Sequence, residues 1–490
     1  METSKIKVGL LSGVPTIKLR SPEGLRVKGH GLSFSCKELE IHTDETFPVK
    51  RLYRVFTDDF ERLEDALDTA LKSDESPIRG AVEVGRGIEP YAHWGYHNAG
   101  FWAFAGEFDG EEEALSFARH LEEKGERPWI KSELRGNCPD KVKVITEKGE
   151  LEAELPLDII PSGDKTLVLD LPVGEGFHWE HRENLHYRGS FEVLGTPGGG
   201  LYLVNRVSLE DYLKSVVSSE MGEAPLEALK AQAIAARNTL LSTLKRHHYY
   251  DPFDICATDH CQVYLGVKGE NEMSSRAVEE TSGEILVFEG KICDTRFAKV
   301  CGGVTENFEQ VWGGKSIDYL ISHRDSDSNG LLLRTEEEVR NFIDDPPPSF
   351  CSDHELFRWK IKVDRKKLES IVKEKTGTSL ELIDIIPVRR GASGRIIEIK
   401  LIGKERELII RGELRIRNAL SESHLYSSLF YVVKLGEKDG LPDAFEFRGG
   451  GFGHGVGMCQ IGAIGMARMG YNYREILAHY YPGTDLIKVE

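Results

Sequence analysis

Residues 215–241 read SVVSSEMGEAPLEALKAQAIAARNTLL, and the fold is read outward from this stretch. Leu226, Leu229, Ala233, Ala236 and Leu240 recur at helical spacing and form one apolar stripe. Pro225 suits the first helical position and Glu227 the positive N-terminal end of a helix. Glu220 then falls in a turn or short helix just before a long buried helix. From there a carboxylate can point into a cleft while its backbone is held rigidly. A solvated surface glutamate is the plain alternative, and Glu223 is the natural competitor three residues on. The helix-rich segment spans 209–245.

On the N-terminal side the chain alternates between strands and short helices. KIKVGLL, PTIKLR and LRVKGH read as strands, followed by a helix over 60–72. Residues 101–131 read strand, helix, strand. In the middle of these, Ala114, Phe117, Ala118 and Leu121 share one helical face, and Gly125 stops the helix. This unit resembles SPOR-type modules, which bind glycan strands stripped of peptides; a small α/β accessory domain is the other reading. VKVITEKG, LVLDLP, FEVLG and LYLVNRV follow as strands, with Gly198, Gly199 and Gly200 at a hairpin turn. These signals predict an α+β protein of mixed sheets with packed helices. They place an accessory region at 1–140 and a main domain at 141–490.

On the C-terminal side three segments carry chemistry. HHYYDPFDICATDHCQVYLG (247–266) offers His247, His248, Cys256, His260 and Cys261. Thiolate and imidazole are the usual zinc ligands, and His248, Cys256 and Cys261 would leave one position open. Asp254 or Asp259 would orient the histidine. A Cys256–Cys261 disulfide, or free thiols, fits the spacing equally. FAKVCGGVTENFEQVW (297–312) places Gly302 and Gly303 at the end of a strand, where a plain turn or a close backbone approach is read. Thr305, Glu306 and Trp312 suit sugar binding. RGGGFGHGVGMCQIGAIGMARMGYNYREILAHYYPGT (448–484) carries seven glycines between 449 and 462. It lets the backbone pass close to a ligand or another chain segment, and it lacks the Gly-Lys-Ser/Thr of a phosphate loop. His454 stands between Gly453 and Gly455, as a ligand group or a satisfied structural histidine, and Gln460 follows at helical entry. Between these segments, a loop ends in Pro346, Pro347 and Pro348, and a strand-rich stretch runs over 359–410.

The 490 residues suggest about three domains. Hydrophobic residues at 40 % and charged residues at 29 % argue against a disordered or fibrous chain. The net charge of −18 argues against a general nucleic-acid binder. No apolar run approaches the roughly 20 residues of a membrane span. The first residues hold neither the apolar core nor the cleavage site of a signal peptide, so the expectation is a cytosolic protein or one whose signal has been removed. The eight cysteines are too few for a disulfide scaffold, yet five lie between 256 and 351. Cys293, Cys301 and Cys351 leave their pairing open.

In this order, SVVSSEM…LEALKAQAIAAR, FDICATDHCQVYLG, CGGVTEN…VW and GFGHGVGMCQIGAIGMA…YYPGT resemble the SpoIID/LytB family, the stage II sporulation D proteins and amidase enhancers. The resemblance covers about 175–490, and residues 177–193 resemble the domain entry of some envelope-associated members. It implies a lytic transglycosylase that cuts peptidoglycan strands lacking stem peptides, with Glu220 as the acid. It implies zinc on Cys256, Cys261 and a histidine, with His248 preferred to His247. Arg237, Gly302, Gly303, Thr305, Gly453, His454, Gly455 and Gln460 become the substrate-binding candidates. It further implies work in the cell envelope, on peptidoglycan alone or with a cell-wall amidase. Two departures from the common pattern are Cys301, where many members have serine, and Asn238-Thr239 after Arg237.

Overall fold

The computed structural model describes residues 5–72, 79–88, 90–96, 98–126, 128–174, 180–258, 260–313, 315–327, 333 and 335–489. The architecture is α+β. Its largest sheet has 11 strands, and its first strand, Lys5–Val14, lies between Leu201–Ser208 (antiparallel) and Ile255–Cys256 (parallel). The strand Thr16–Gly29 pairs with both Leu32–His42 and Leu157–Pro161. The sheet therefore crosses the boundary expected near residue 140: residues 5–42 complete the sheet of 141–208. The physical reason is burial. Ile6, Val8, Ile17, Leu19, Leu25 and Val27 alternate onto one face and are at most 1 % exposed, in the same core as Leu203, Val216 and Ile234.

Residues 49–136 stand apart from this sheet. They form a four-stranded sheet of Gly80–Val84, Gly100–Phe108, Val49–Phe60 and Trp129–Gly136, with helices Leu63–Lys72 and Glu111–Glu123. The helical face read from the sequence is the packed one: Ala114, Ala118 and Leu121 are buried with Val55 and Ala105, and Phe117 packs against them. This unit docks onto the histidine-bearing segment that follows the long helix. Tyr249 packs edge-on against Phe56 and Trp102, and its hydroxyl donates to Glu133. Arg246 pairs with Asp59, and Arg86 with Asp254 at 2.5 Å.

The centre of the molecule is helical. Ser208 caps Leu209–Met221 by accepting from the Asp211 amide. Leu226–Thr243 follows, with Pro225 one position before the helix, at its N-cap. Leu229, Ala233, Ala236 and Leu240 are buried as their spacing requires, but so are Gln232, Arg237 and Asn238 on the other faces. The helix is thus enclosed on all sides rather than striped, which its many alanines permit. Within residues 359–410, read from the sequence as strand-rich, the structure adds the helix Arg365–Thr376. Its Leu368 and Val372 anchor a second core with Ile385, Ile399 and Phe445. No described helix is long and apolar enough to cross a membrane.

Candidate active site and metal centre

Glu220 lies in the last turn of Leu209–Met221, and Gly222 ends that helix with φ +59°. Its Oε2 accepts a hydrogen bond from Gln460 Nε2 at 2.9 Å, and Gln460 Nε2 also lies 3.5 Å from Gln232 Oε1. Lys299 Nζ donates to the Glu220 carbonyl oxygen at 3.1 Å. Burial pushes the Glu220 carboxyl above the ordinary glutamate range, while the Gln460 hydrogen bond and the Lys299 charge pull the other way. Glu223 is exposed in the connection to the next helix. Two of the sequence candidates, Glu220 and Gln460, are therefore in contact across 240 residues.

The glycine-rich segment reaches this place by lying along residues 296–306. Phe297–Ala298 pairs in parallel with Met458–Cys459, and bridges join Val300 to Phe452 and Glu306 to Val456. Close approach explains the glycines. Gly455 has φ +78°, and a Cβ there would lie 2.2 Å from the guanidinium carbon of Arg395. Arg395 is fully buried, donating to the carbonyls of Val304 and Cys301 and to Ser393 Oγ. Ser393 Oγ in turn donates to the buried Glu306 at 2.6 Å. Gly455→Ala should therefore combine left-handed strain with overpacking and cost about 3 kcal/mol, read by urea unfolding. Unchanged stability would contradict this account.

The other candidates divide clearly. Gly453 and His454 are half-buried beside Ala298 and Trp312. His454 Nδ1 accepts from the Val456 amide at 3.0 Å, and the ring is edge-on to Trp312, whose centroid is 4.8 Å away. Burial, with Arg296, Arg395 and Arg417 nearby, holds the imidazole pKa down to about 3, so it is neutral; a hydrogen bond to the Phe297 backbone works against this. Trp312 is 45 % exposed and carries the Arg296 guanidinium over its face. Gly302 and Gly303 are buried and packed against Gly450–Gly451 and Ser349, and Thr305 is fully buried with its hydroxyl donating to the Ile321 carbonyl. Arg237 is not brought to the groove: it is fully buried, paired with Glu210 at 2.9 Å and donating to the Glu284 carbonyl. These four hold the fold and offer a ligand no surface. Glu306 is likewise enclosed, so of the three groups read as suited to sugars only Trp312 faces solvent.

His248, Cys256, His260 and Cys261 have potential ligand atoms all within 4.8 Å of one another. Both thiols lie near His260 Nδ1, at 3.7 Å for Cys256 and 3.8 Å for Cys261. His248 Nδ1 is 2.7 Å from Asp251 Oδ2, and its Nε2 is buried with no hydrogen-bond partner among the described residues. A histidine held by a carboxylate on one nitrogen, with the other bare and facing two thiols, is the arrangement of a metal ligand. His247 lies outside this group, its Nδ1 4.0 Å from Cys261 Sγ. Asp251 is the orienting carboxylate that the sequence reading missed. Asp254 instead accepts from the Lys7 amide and Arg86, and Asp259 lies outside the described residues. His260 is a fourth donor, so the position expected to stay open can close.

These features define an α+β protein with a desolvated acid, Glu220, joined to the glycine-rich segment through Gln460, and a thiol–imidazole cluster in the segment that follows the long helix. The family model for the stage II sporulation protein matches residues 198–288, and a domain of unknown function matches 306–457. An uncharacterized protein of Brachyspira hyodysenteriae is 32 % identical over 288 residues, 59 % of this chain and 68 % of that one. Stage II sporulation protein D of Bacillus amyloliquefaciens is 27 % identical over 59 % of this chain and 76 % of its own. The amidase enhancer of Bacillus subtilis is 26 % identical over 56 % of this chain, and the match spans 40 % of that protein. The chain belongs to the SpoIID/LytB family.

Proposed function

We propose that the protein is a peptidoglycan lytic transglycosylase and that Glu220 is its acid and base. The observation that carries this reading is the Glu220 carboxyl group, desolvated and held by an amide in the last turn of its helix. Hydrolysis of a glycoside normally needs two flanking carboxylates. Transglycosylation needs one. Glu220 gives its proton to the glycosidic oxygen as the C1–O bond breaks. The C6 hydroxyl of N-acetylmuramic acid attacks C1, and its proton passes to the Glu220 carboxylate, leaving a 1,6-anhydro ring. Raising the carboxyl pKa keeps the acid protonated further toward neutrality. Trp312, edge-on to His454, supplies an exposed aromatic face for a sugar ring.

The test is mass spectrometry of glycan strands, with and without stem peptides, after incubation with the protein. Anhydro ends support the reading; reducing ends or intact strands overturn it. Intact but bound strands would favour a second reading, a glycan-binding activator of a separate amidase, which the amidase-enhancer relative supports. Either activity would place the protein in the cell envelope, as the family resemblance implies.

Cleavage should fall as pH rises through the Glu220 pKa, because only the protonated acid starts the reaction. Lys299 favours the carboxylate, so Lys299→Met should move this falling limb of kcat/KM to higher pH. A limb that stays in place or moves to lower pH would contradict the electrostatic role.

His248, Cys256, His260 and Cys261 fit zinc by donor type, by count and by the bare His248 nitrogen. With all four positions supplied by the protein, zinc there would brace the segment between the long helix and the sheet rather than meet substrate.

A further inference from the structure

A second cluster lies on the other side of Gln460. Cys301, Asp325, Cys351 and Cys459 offer ligand atoms within 4.8 Å of one another. Each is at most 1 % exposed, and they come from four separate segments of the chain. Cys301 Sγ and Cys351 Sγ are 3.7 Å apart. A disulfide needs about 2.05 Å. Two thiolates bound at about 2.3 Å to one tetrahedral zinc stand roughly 3.8 Å apart.

Backbone amides are aimed at two of the three sulfurs. The amides of Cys301 and Gly462 donate to Cys459 Sγ at 3.1 and 3.3 Å, and the Gly303 amide donates to Cys301 Sγ at 3.3 Å. Such hydrogen bonds stabilise a thiolate over a thiol. Asp325 Oδ1 accepts from the Tyr480 hydroxyl at 2.5 Å, and Oδ2 is buried with no hydrogen-bond partner among the described residues. A buried carboxylate oxygen left bare is costly unless a cation meets it. Arg358 is close enough for its charge to act on Cys301 and Cys351, but its guanidinium donates to the carbonyls of Gly302, Phe342, Phe357 and Ile343.

We propose that Cys301, Asp325, Cys351 and Cys459 form a second metal site, taking a thiophilic divalent cation, with zinc the ion that this three-sulfur, one-oxygen set fits. The site would tie the segments carrying Asp325 and Cys351 to the glycine-rich segment. It would also hold Cys459 at the N-cap of Gln460–Arg468, the helix whose first side chain meets Glu220. The cation's role is positional. The proposal does not depend on the reaction assigned to Glu220.

The test is the metal content of the full chain purified without chelator. Two zinc ions per chain are expected in the wild type and one in the Cys256→Ser/Cys261→Ser variant. X-ray absorption of that variant should give three sulfurs and one oxygen around the remaining zinc. Adding Cys351→Ser should remove it. If the variants fail to fold, the wild type still decides: two zinc ions, and eight free thiols once the protein is denatured and chelated without reductant. A Cys301–Cys351 disulfide in the peptide map, or a single zinc that disappears with Cys256 and Cys261, would overturn the proposal. A single zinc that survives that double change and is lost with Cys351 would support this site and remove the other.

Discussion

If Glu220 is the acid proposed above, Glu220→Gln is expected to lower the rate of anhydro-glycan release by about a thousandfold, within the range that general acid–base groups contribute. The change keeps the side chain's shape, and its amide oxygen can still accept from Gln460, so folding and strand binding stay close to wild type. What is lost is the proton: an amide can neither protonate the leaving oxygen nor take the proton of the attacking hydroxyl. The measurement pairs mass spectrometry of products with a binding assay on the same strands. Release near the wild-type rate would remove Glu220 from the mechanism. Glu223→Gln, at an exposed position in the helix connection, leaves the rate within a few-fold.

Cys256→Ser is expected to produce the second large effect, on stability. It removes one ligand of the His248, Cys256, His260 and Cys261 set, and with it the metal proposed there. Zinc sites in isolated small domains are worth about 10–16 kcal/mol. Here the segment is also held by the Tyr249 cluster and by Ile255–Cys256 pairing with the first strand, so the loss is smaller. With an unfolding entropy of about 2.1 cal/mol/K per residue over the 490 residues, a loss of about 3 kcal/mol would lower Tm by roughly 3 °C. Scanning calorimetry together with zinc analysis checks it. A protein that keeps its zinc, or loses it without a fall in Tm, would show that the cluster does not brace the fold.

Local periodicity made some of this legible in advance. The Leu226–Thr243 helix and the Ala114, Phe117, Ala118, Leu121 face follow from spacing, because a side chain's direction on a helix depends only on its neighbours. The motif order pointed to the family and, through it, to Glu220 and Gln460 as site residues. Partner choice was harder. Nothing local tells Lys5–Val14 to pair with Leu201–Ser208, so the sheet was divided in the wrong place. The helix Arg365–Thr376 was hidden between β-rich segments despite the spacing of Leu368, Ile371 and Val372. Arg237 carries a charge that suits a ligand, and only the packed structure reveals Glu210 beside it. His260 was in view as a zinc-type residue; its place among the ligands depends on how the chain turns between Cys256 and Cys261.

The position of the first strand bears on how the chain acquires its shape during synthesis. Lys5–Val14 leaves the ribosome well before its two neighbours, Leu201–Ser208 and Ile255–Cys256, which are made roughly 190 and 240 residues later, a delay of roughly 10–50 s at 5–20 residues per second. Over that interval Ile6, Val8 and Leu10 have no sheet to enter, and their apolar face is open to chaperones or to neighbouring nascent chains. The four-stranded unit of 49–136 depends on no later segment for its own pairing. It can therefore be complete while the strands on its N-terminal side are still waiting, so the order of folding need not follow the order of translation.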